Sequence, residues 1–333
     1  MIKVDIIIPT YKPDETFRLL LHFLQKQTFV VHRVIILNTE ERLWEEALLE
    51  IPNIREELKN LPFEYIVKHI AKADFDHGGT RRIGAELSSA DIMIFMTQDA
   101  VPEDEYLVEN LVKEFLQQED VNGRNEEQTS IAVAYARQTP KKECNVVERY
   151  TRQFNYPDTS RIKTEKDIPE LGIKTFFCSD VCAAYRRDIY WKLGGFETPV
   201  IFNEDMFFAA NAIKNGYAVA YVADARVCHS HNYTMMQQFH RNFDLAVSQT
   251  THPEIFEQIS SEAEGFKLVK NTIKHLFKIR KPWYIWYLFT QCLGKYAGYW
   301  LGKRYCKLSK KHILKCTMNK QYWDRIWEQN DEN

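Results

Sequence analysis

The chain has 333 residues, 45% of them hydrophobic, and a net charge of −2, which is ordinary for a globular protein with one large α/β domain and an appendage. Its seven Cys form no C-x-x-C pair. This argues against a zinc ribbon or a disulfide framework and predicts reduced, cytosolic thiols. The N-terminus enters a strand directly, so no signal peptide is predicted.

The charge is unevenly distributed along the chain. Residues 266–320 contain 14 Lys and Arg and no Asp or Glu, so the remainder is strongly acidic. An acidic surface argues against a nucleic-acid role for the main domain.

Apolar runs divide the rest of the chain into strands and helices. Residues 4–9 form a continuous apolar run, typical of a strand buried on both faces of a parallel sheet. Further strands are predicted at 33–37, 64–67, 92–96, 131–135, 176–185 and 218–222, the one at 176–185 being broken by Ser179-Asp180. The first strands alternate with helices, which predicts a mostly parallel sheet with right-handed connections. Residues 137–172 are predicted to be an irregular functional or mobile loop, and 119–130 a polar surface loop.

Polar residues follow the predicted central strand, 92–96. The segment Thr97-Gln98-Asp99 places a carboxylate at the carboxyl end of this strand, the edge where open α/β sheets bind ligands. A carboxylate there can hold a divalent cation that in turn holds phosphates. The alternative is an ordinary helix-capping or turn aspartate.

Five motifs in chain order resemble those of the family 2 glycosyltransferases with the GT-A fold. They are Ile8-Pro9-Thr10-Tyr11, Thr80-Arg81-Arg82-Ile83-Gly84, Thr97-Gln98-Asp99, Gly194-Gly195-Phe196 and Asn203-Glu204-Asp205. The resemblance covers residues 3–235 and is greatest with the bacterial rhamnosyltransferase branch, which builds cell-wall polysaccharides and O-antigens from dTDP-rhamnose. It implies a GT-A catalytic domain at 1–240 and a helical C-terminal extension at 241–333. In one departure, Thr97 stands where the family's Asp-x-Asp motif has its first carboxylate.

The resemblance implies a binding site for a nucleotide-sugar donor. Its candidate residues are Thr10, Tyr11, Asn38, Glu40, Asp76, Arg81, Arg82 and Gln98. Thr10 and Tyr11 are expected to flank the nucleobase, and Arg81 to add positive charge for the diphosphate, whose geometry suits a guanidinium. Ordinary turn chemistry remains open for Thr10 and Tyr11, and a solvated helix face for Arg82.

A metal site is also implied. Asp99 is expected to bind Mg²⁺ or Mn²⁺ bridging the diphosphate, with His229 or His231 as a further ligand. The alternative is that these histidines are turn or acceptor-site residues.

The resemblance makes Asp205 the general base that deprotonates the acceptor hydroxyl, with Glu204 beside it. An adjacent carboxylate raises the pKa of its neighbour toward a useful range. Against this, acidic residues are common in the first turn of a helix. Asp180, Arg149 and Tyr150 are candidates for acceptor contacts.

The basic tail is a second functional feature. Residues 282–302 are rich in Trp and Tyr, and basic residues flank them on both sides. This composition predicts a segment lying on an anionic membrane surface, at the inner face of the plasma membrane, where a lipid-linked glycan acceptor would be found. The alternative is a helical appendage that packs on the domain or forms a homodimer.

The resemblance thus implies an inverting transfer of rhamnose from dTDP-β-L-rhamnose to a hydroxyl of a lipid-linked polysaccharide. Two alternatives stay open: a transferase for a UDP-hexose, and a degenerate module that only binds glycans. A nucleotidyltransferase is disfavoured, because the first strand lacks the Gly-rich, basic loop expected there.

Overall fold

A computed structural model describes residues 2–116, 129–256 and 262–331. The predicted surface loop at 119–130 lies outside the described residues except for its last two.

The described residues form an α/β fold followed by a helical C-terminal region. The strands are β1 (Val4–Tyr11), β2 (Arg33–Thr39), β3 (Glu64–Ile70), β4 (Ile92–Met96), β5 (Val101–Pro102), β6 (Ile131–Thr139), β7 (Arg161–Lys163), β8 (Cys182–Arg186) and β9 (Ala218–Cys228). The helices are α1 (Glu15–Leu24), α2 (Glu41–Glu50), α3 (Ile54–Lys59), α4 (His77–Leu87), α5 (Leu107–Leu116), α6 (Val146–Asn155), α7 (Ile168–Leu171), α8 (Arg187–Lys192), α9 (Glu204–Lys214), α10 (Met235–Thr250), α11 (Pro253–Phe256), α12 (Glu262–Lys278), α13 (Tyr284–Gly302), α14 (Lys310–Cys316) and α15 (Lys320–Asp331).

The described strands form one mixed sheet in the order β3-β2-β1-β4-β8-β6-β9-β5, with β7 beside β9. The pairs β3–β2, β2–β1, β1–β4 and β6–β9 are parallel. The other four pairs are antiparallel, because β8 runs against both β4 and β6, and β5 and β7 run against β9. The predicted parallel pairing is therefore confirmed for β3, β2, β1 and β4 and for the β6–β9 pair, whereas the remaining pairs make the sheet mixed.

The apolar runs form the core, as predicted. The apolar residues of β1 and β4 are buried, and α1 covers the sheet with Phe17, Leu20, Leu21 and Leu24. Asp14 begins α1, since its Oδ1 accepts the N–H of Thr16 (2.9 Å).

Two predictions of local structure are wrong. The strand predicted at 176–185 begins only at Cys182, because the buried ammonium of Lys163 holds the carbonyls of Lys174 and Phe177 in a preceding 3-10 turn. The stretch predicted as irregular contains the regular helix α6. The apolar residues Val147, Tyr150 and Phe154 of α6 do recur at helical spacing, but they are few and stand in a largely polar stretch.

The chain divides into two compact units. The first contains Met1–Thr139, Tyr156–Thr198 and Glu204–His229, and the second contains Pro140–Asn155, Pro199–Asn203 and Ser230–Asn333. In this division α6 and the whole of α10 belong to the second unit, and the domain boundary after residue 240 stays a prediction. None of the described helices combines the length and apolar character needed to cross a bilayer.

Close helix packing organises the second unit. Gly294, Gly298 and Gly302 of α13 face the backbone of α10, and a Cβ at Gly298 would collide with the carbonyl oxygen of Phe239. The three glycines recur every four residues, so they form one stripe along the helix that allows the two backbones to approach closely.

We expect Gly298→Ala to destabilise the second unit by about 1–3 kcal/mol, because backbone atoms of α10 must move to admit the methyl group. Urea unfolding of the full chain measures this effect. Gly265→Ala is the matched control, since Gly265 also lies in a helix but has no atom within 4 Å of an added Cβ. Equal unfolding midpoints for the two variants would contradict the close packing.

Candidate active site

Four neighbouring parallel strands present polar residues at one edge of the sheet. Thr10 and Tyr11 end β1, Asn38 lies near the end of β2, Asp76 follows β3, and Gln98 and Asp99 follow β4. Because β3, β2, β1 and β4 are adjacent and parallel, these predicted residues meet at the edge where α/β sheets bind ligands.

Gln98 clamps the backbone of Tyr11. Its Oε1 accepts the N–H of Tyr11 (2.8 Å), and its Nε2 donates to the carbonyl oxygen of Tyr11 (3.1 Å). The Tyr11 side chain is 43% exposed, and the ammonium groups of Lys12 and Lys72 lie 5.6 and 5.8 Å from its ring centre. The sheet edge therefore offers a fixed aromatic face with positive charge around it.

Three of the predicted donor residues form an internal network. Thr10 Oγ1 donates to Asn38 Oδ1 (3.2 Å), and Asn38 Nδ2 donates to the carbonyl oxygen of Glu40 (3.0 Å). The carboxylate of Glu40 accepts the N–H of Lys72 (2.5 Å). Asn38 is fully buried, so its amide orients these loops, and its direct contact with a nucleotide stays a prediction.

Asp76 and Arg82 also make contacts within the protein. Asp76 caps α4 by accepting the N–H of Gly79 (2.5 Å). Arg82 Nη1 donates to the carbonyl oxygen of Gly194 (2.7 Å), in a turn where Gly194 and Gly195 both have positive φ. Arg82 thus stabilises the Gly-Gly-Phe motif, and the predicted donor contacts of both residues remain untested.

Asp99 and His229 face each other at the predicted metal site. Asp99 Oδ2 lies 3.4 Å from His229 Nε2, and Thr97 Oγ1 donates to Asp99 Oδ1 (2.9 Å). Gln138 Oε1 lies 3.1 Å from His229 Nδ1. Since the amide oxygen only accepts, it assigns a proton to Nδ1, and Nε2 is the ring nitrogen that faces the carboxylate.

This arrangement fits a divalent cation, because a second side chain orients the imidazole and the oxygen and nitrogen donors converge. His231 lies two residues further along the chain and is counted with the second unit. Its role as a ligand stays a prediction.

A buried guanidinium joins two carboxylates next to α9. Arg81 Nη1 lies 2.9 Å from Glu204, and its Nε lies 3.4 Å from Asp180. Burial lowers the pKa of Arg81, but the charges of Glu204 and Asp180 outweigh it and leave the pKa raised. Tyr185 donates its hydroxyl to Asp180 (2.7 Å). The charge of Arg81 is therefore committed to these carboxylates, and its predicted contact with a diphosphate remains untested.

Asp205 differs from these buried groups because its side chain is partly exposed. Its Oδ2 accepts the N–H of Asp180 (3.0 Å), and its Oδ1 accepts the N–H of Met206 (2.7 Å). Burial, with the charge of Glu204 beside it, raises the pKa of Asp205 to about 7. A reachable carboxyl group that titrates near neutrality is suited to general-base catalysis.

The structure places the two remaining acceptor candidates in α6 of the second unit. Arg149 Nη2 donates to the carbonyl oxygens of Lys141 (3.1 Å) and Lys142 (3.0 Å). The Tyr150 ring stacks on that of His275, with 4.4 Å between the ring centres. Both side chains are thus engaged within their own unit, and their roles toward an acceptor stay predictions.

Sequence reasoning missed three residues that orient the site: Thr97, Gln138 and Tyr185. The sequence does indicate a role for Thr97, because it precedes Asp99 by two residues and hydroxyl side chains often form hydrogen bonds with groups nearby in the chain. It indicates none for Gln138, because 91 positions separate it from the histidine that it contacts.

Solved structures show the class of fold. The mannosyltransferase PcManGT from Pyrobaculum calidifontis, in complex with GDP-Man and Mn²⁺, matches with a TM-score of 0.51 and 14% identity over 96% of this chain and 85% of that chain. Residues 1–349 of TarS from S. aureus match with a TM-score of 0.51 and 13% identity, over 92% and 91% of the two chains. The fold is that of the GT-A glycosyltransferases, as predicted.

Sequence comparison gives the family. Residues 5–194 match Glycosyl transferase family 2. The O-antigen chain rhamnosyltransferase RfbN of Salmonella typhimurium is 36% identical over 97% of both chains, and WbaN of Salmonella anatum, described in the same words, is 34% identical over 96% of both. The chain therefore belongs to glycosyl transferase family 2 and is a glycosyltransferase, which confirms the predicted family and class of enzyme.

Proposed function

We propose that this enzyme transfers rhamnose from dTDP-β-L-rhamnose to a hydroxyl group of a lipid-linked polysaccharide in O-antigen or cell-wall synthesis. The observation that carries the proposal is the match, over nearly the whole chain, to two proteins named O-antigen chain rhamnosyltransferases. The chemistry of the site supports it, since the loops proposed to bind the nucleotide and the carboxyl group of Asp205, whose pKa is about 7, occur in the same unit.

In the proposed mechanism Asp205 accepts the proton of the acceptor hydroxyl as its oxygen attacks the anomeric carbon. The nucleoside diphosphate leaves from the opposite face, so the configuration inverts and a β-linked donor yields an α-rhamnoside. Arg81 keeps Glu204 and Asp180 in place, and the N–H of Asp180 orients the carboxylate of Asp205.

A divalent cation, Mg²⁺ or Mn²⁺, is proposed to be held by Asp99 and His229, with His231 as a further candidate. When bound, it would neutralise negative charge on the leaving diphosphate. Gln138 and Thr97 fix the orientations of His229 and Asp99 respectively.

Tyr11 is proposed to stack on the thymine base, so its clamp is testable. Gln98→Ala removes both hydrogen bonds to the Tyr11 backbone and should weaken dTDP binding about tenfold, measured by calorimetry. Gln25→Ala, which removes an amide bonded to Glu57, is the control and should leave binding unchanged. An unaltered Kd in the Gln98 variant would remove the clamp from donor binding.

We also propose that the enzyme is cytoplasmic and associates with the inner face of the plasma membrane, where a lipid-linked acceptor is accessible. The basic, aromatic composition of 266–320 supports this location. A homodimer formed through the same region is the alternative.

Donor specificity is tested by incubating the enzyme with several nucleotide sugars and measuring release of the nucleoside diphosphate. With Mg²⁺ or Mn²⁺ present, dTDP-rhamnose should be cleaved fastest. Faster cleavage of a UDP-hexose would establish the alternative donor. Absence of cleavage with every donor, even with rhamnose-containing lipid-linked acceptors added, would support the degenerate glycan-binding module.

A further inference from the structure

One face of α13 carries an unbroken row of exposed apolar side chains. Its members are Trp286, Phe289, Leu293, Tyr296 and Trp300, here called the aromatic stripe. Their spacing of three and four residues places them on one side of the helix. They are between 46% and 72% exposed, and the stripe extends about 21 Å along the helix axis.

The aromatic stripe is not part of the packed core of the protein. The opposite side of α13 carries the glycines that pack on α10, and Leu288, which packs with Leu276 of α12. The helix is therefore fixed in place on one side and presents its aromatic side to the outside. Exposed apolar rows of this length mark interaction surfaces.

Positive charge flanks the stripe on both sides in the sequence, and the structure places one guanidinium against it. Residues 265–323 contain no Asp or Glu. The exposed side of α12 carries Lys270, Lys274 and Lys278 together with Phe277, and the Arg304 guanidinium lies 4.3 Å from the Trp300 ring centre. The occupant of this surface must therefore be apolar in its interior and anionic at its boundary.

A second copy of the chain would supply the apolar interior but not the anionic boundary. Pairing two stripes would bring together two regions that each carry many positive charges and no negative ones, and like charges oppose such contact. An anionic bilayer supplies both, since Trp and Tyr favour its interface and Lys and Arg its headgroups.

We propose that the aromatic stripe of α13 inserts into the interfacial region of an anionic lipid bilayer while the lysines of α12 contact the headgroups. The helix lies in the plane of the membrane, because no described helix is able to span one. The proposal names the side chains that would bind the membrane at the location proposed above. It rests on the proposed function only for the identity of the acceptor.

The test is co-sedimentation of the full-length protein with vesicles of phosphatidylcholine, or of equal parts phosphatidylcholine and phosphatidylglycerol. The wild type should pellet with the anionic vesicles and much less with the neutral ones. Replacing Trp286, Phe289 and Tyr296 together by Ser should lower the partition coefficient at least about tenfold. Replacing Lys270, Lys274 and Lys278 by Gln should lower it similarly at low salt and have less effect at high salt.

Matched controls use equally exposed residues of the first unit. Val30→Ser with Leu49→Ser controls for lost apolar surface, and Lys59, Lys68 and Lys214 replaced by Gln control for lost charge. Both controls should pellet as the wild type does. Circular dichroism checks that each variant is folded.

Two results would overturn the proposal. One is equal pelleting of wild type and stripe variant with anionic vesicles. The other is a dimeric sedimentation mass that the stripe variant abolishes, with negligible vesicle binding by either protein. Hydrolysis of dTDP-rhamnose in solution separates this proposal from the proposed function. The stripe variant should retain it, whereas an error in the donor assignment would abolish it in the wild type as well.

Discussion

Asp205→Asn should reduce turnover by at least about 10²-fold while the affinity for the donor nucleotide changes little. The amide keeps the shape of the side chain but is unable to accept the proton of the acceptor hydroxyl, and general-base catalysis typically contributes about 10²–10⁴-fold. Initial rates of glycosyl transfer and calorimetric titration of dTDP measure the two quantities. Asp188→Asn is the control, since Asp188 is exposed and bonded to Arg186 at the surface.

The pH dependence provides a second readout of the same group. Asp205 acts as a base only when ionised, and its pKa is raised to about 7 by burial and by Glu204. Turnover of the wild type should therefore rise with pH through about 7 and then level off. Wild-type turnover in the Asn variant would place the base elsewhere, and Asp180, whose pKa burial also raises, would be the next candidate.

Asp99→Ala should abolish the effect of the divalent cation on donor binding. Asp99 supplies the carboxylate of the proposed metal site, and an alanine leaves His229 without an oxygen ligand beside it. Titrating dTDP with and without Mn²⁺ should show metal-enhanced binding in the wild type and equal affinities in the variant.

Asp188→Ala serves as the control for this experiment and should keep the full metal effect. If Mn²⁺ enhances dTDP binding equally in Asp99→Ala and in the wild type, Asp99 has no role in holding the cation. The Gln98 clamp of Tyr11 would be unaffected by that outcome, because it is made without Asp99.

The first half of the fold was predictable because its signals are local. Continuous apolar runs indicated β1 and β4. The order of strands and helices then brought the residues of four loops to one edge of the sheet. These inferences need only the strand period, the helix period and the handedness of the connections.

The later features depend on contacts between residues that are distant in sequence. Lys163 holds the turn that delays β8, and Gln138 orients His229. Arg81 illustrates the same limit inside a motif. Its position marked it as functional, but only the folded chain shows its guanidinium between Glu204 and Asp180. The positive charge of Arg81 is compatible both with binding a phosphate and with pairing to buried carboxylates, so the sequence did not distinguish these two roles.

Thr97 has a consequence for the order in which ligands bind. A hydroxyl in place of a carboxylate leaves Asp99 as the one formal negative charge in the loop Thr97–Ala100, and His229 opposite it would bind a metal as a neutral imidazole. A divalent cation held by these two side chains alone would keep an uncompensated positive charge, which the diphosphate of the donor would neutralise. We therefore expect the cation to enter and leave with the nucleotide as one complex. Titration of the donor-free enzyme with Mn²⁺ should then give at most weak binding.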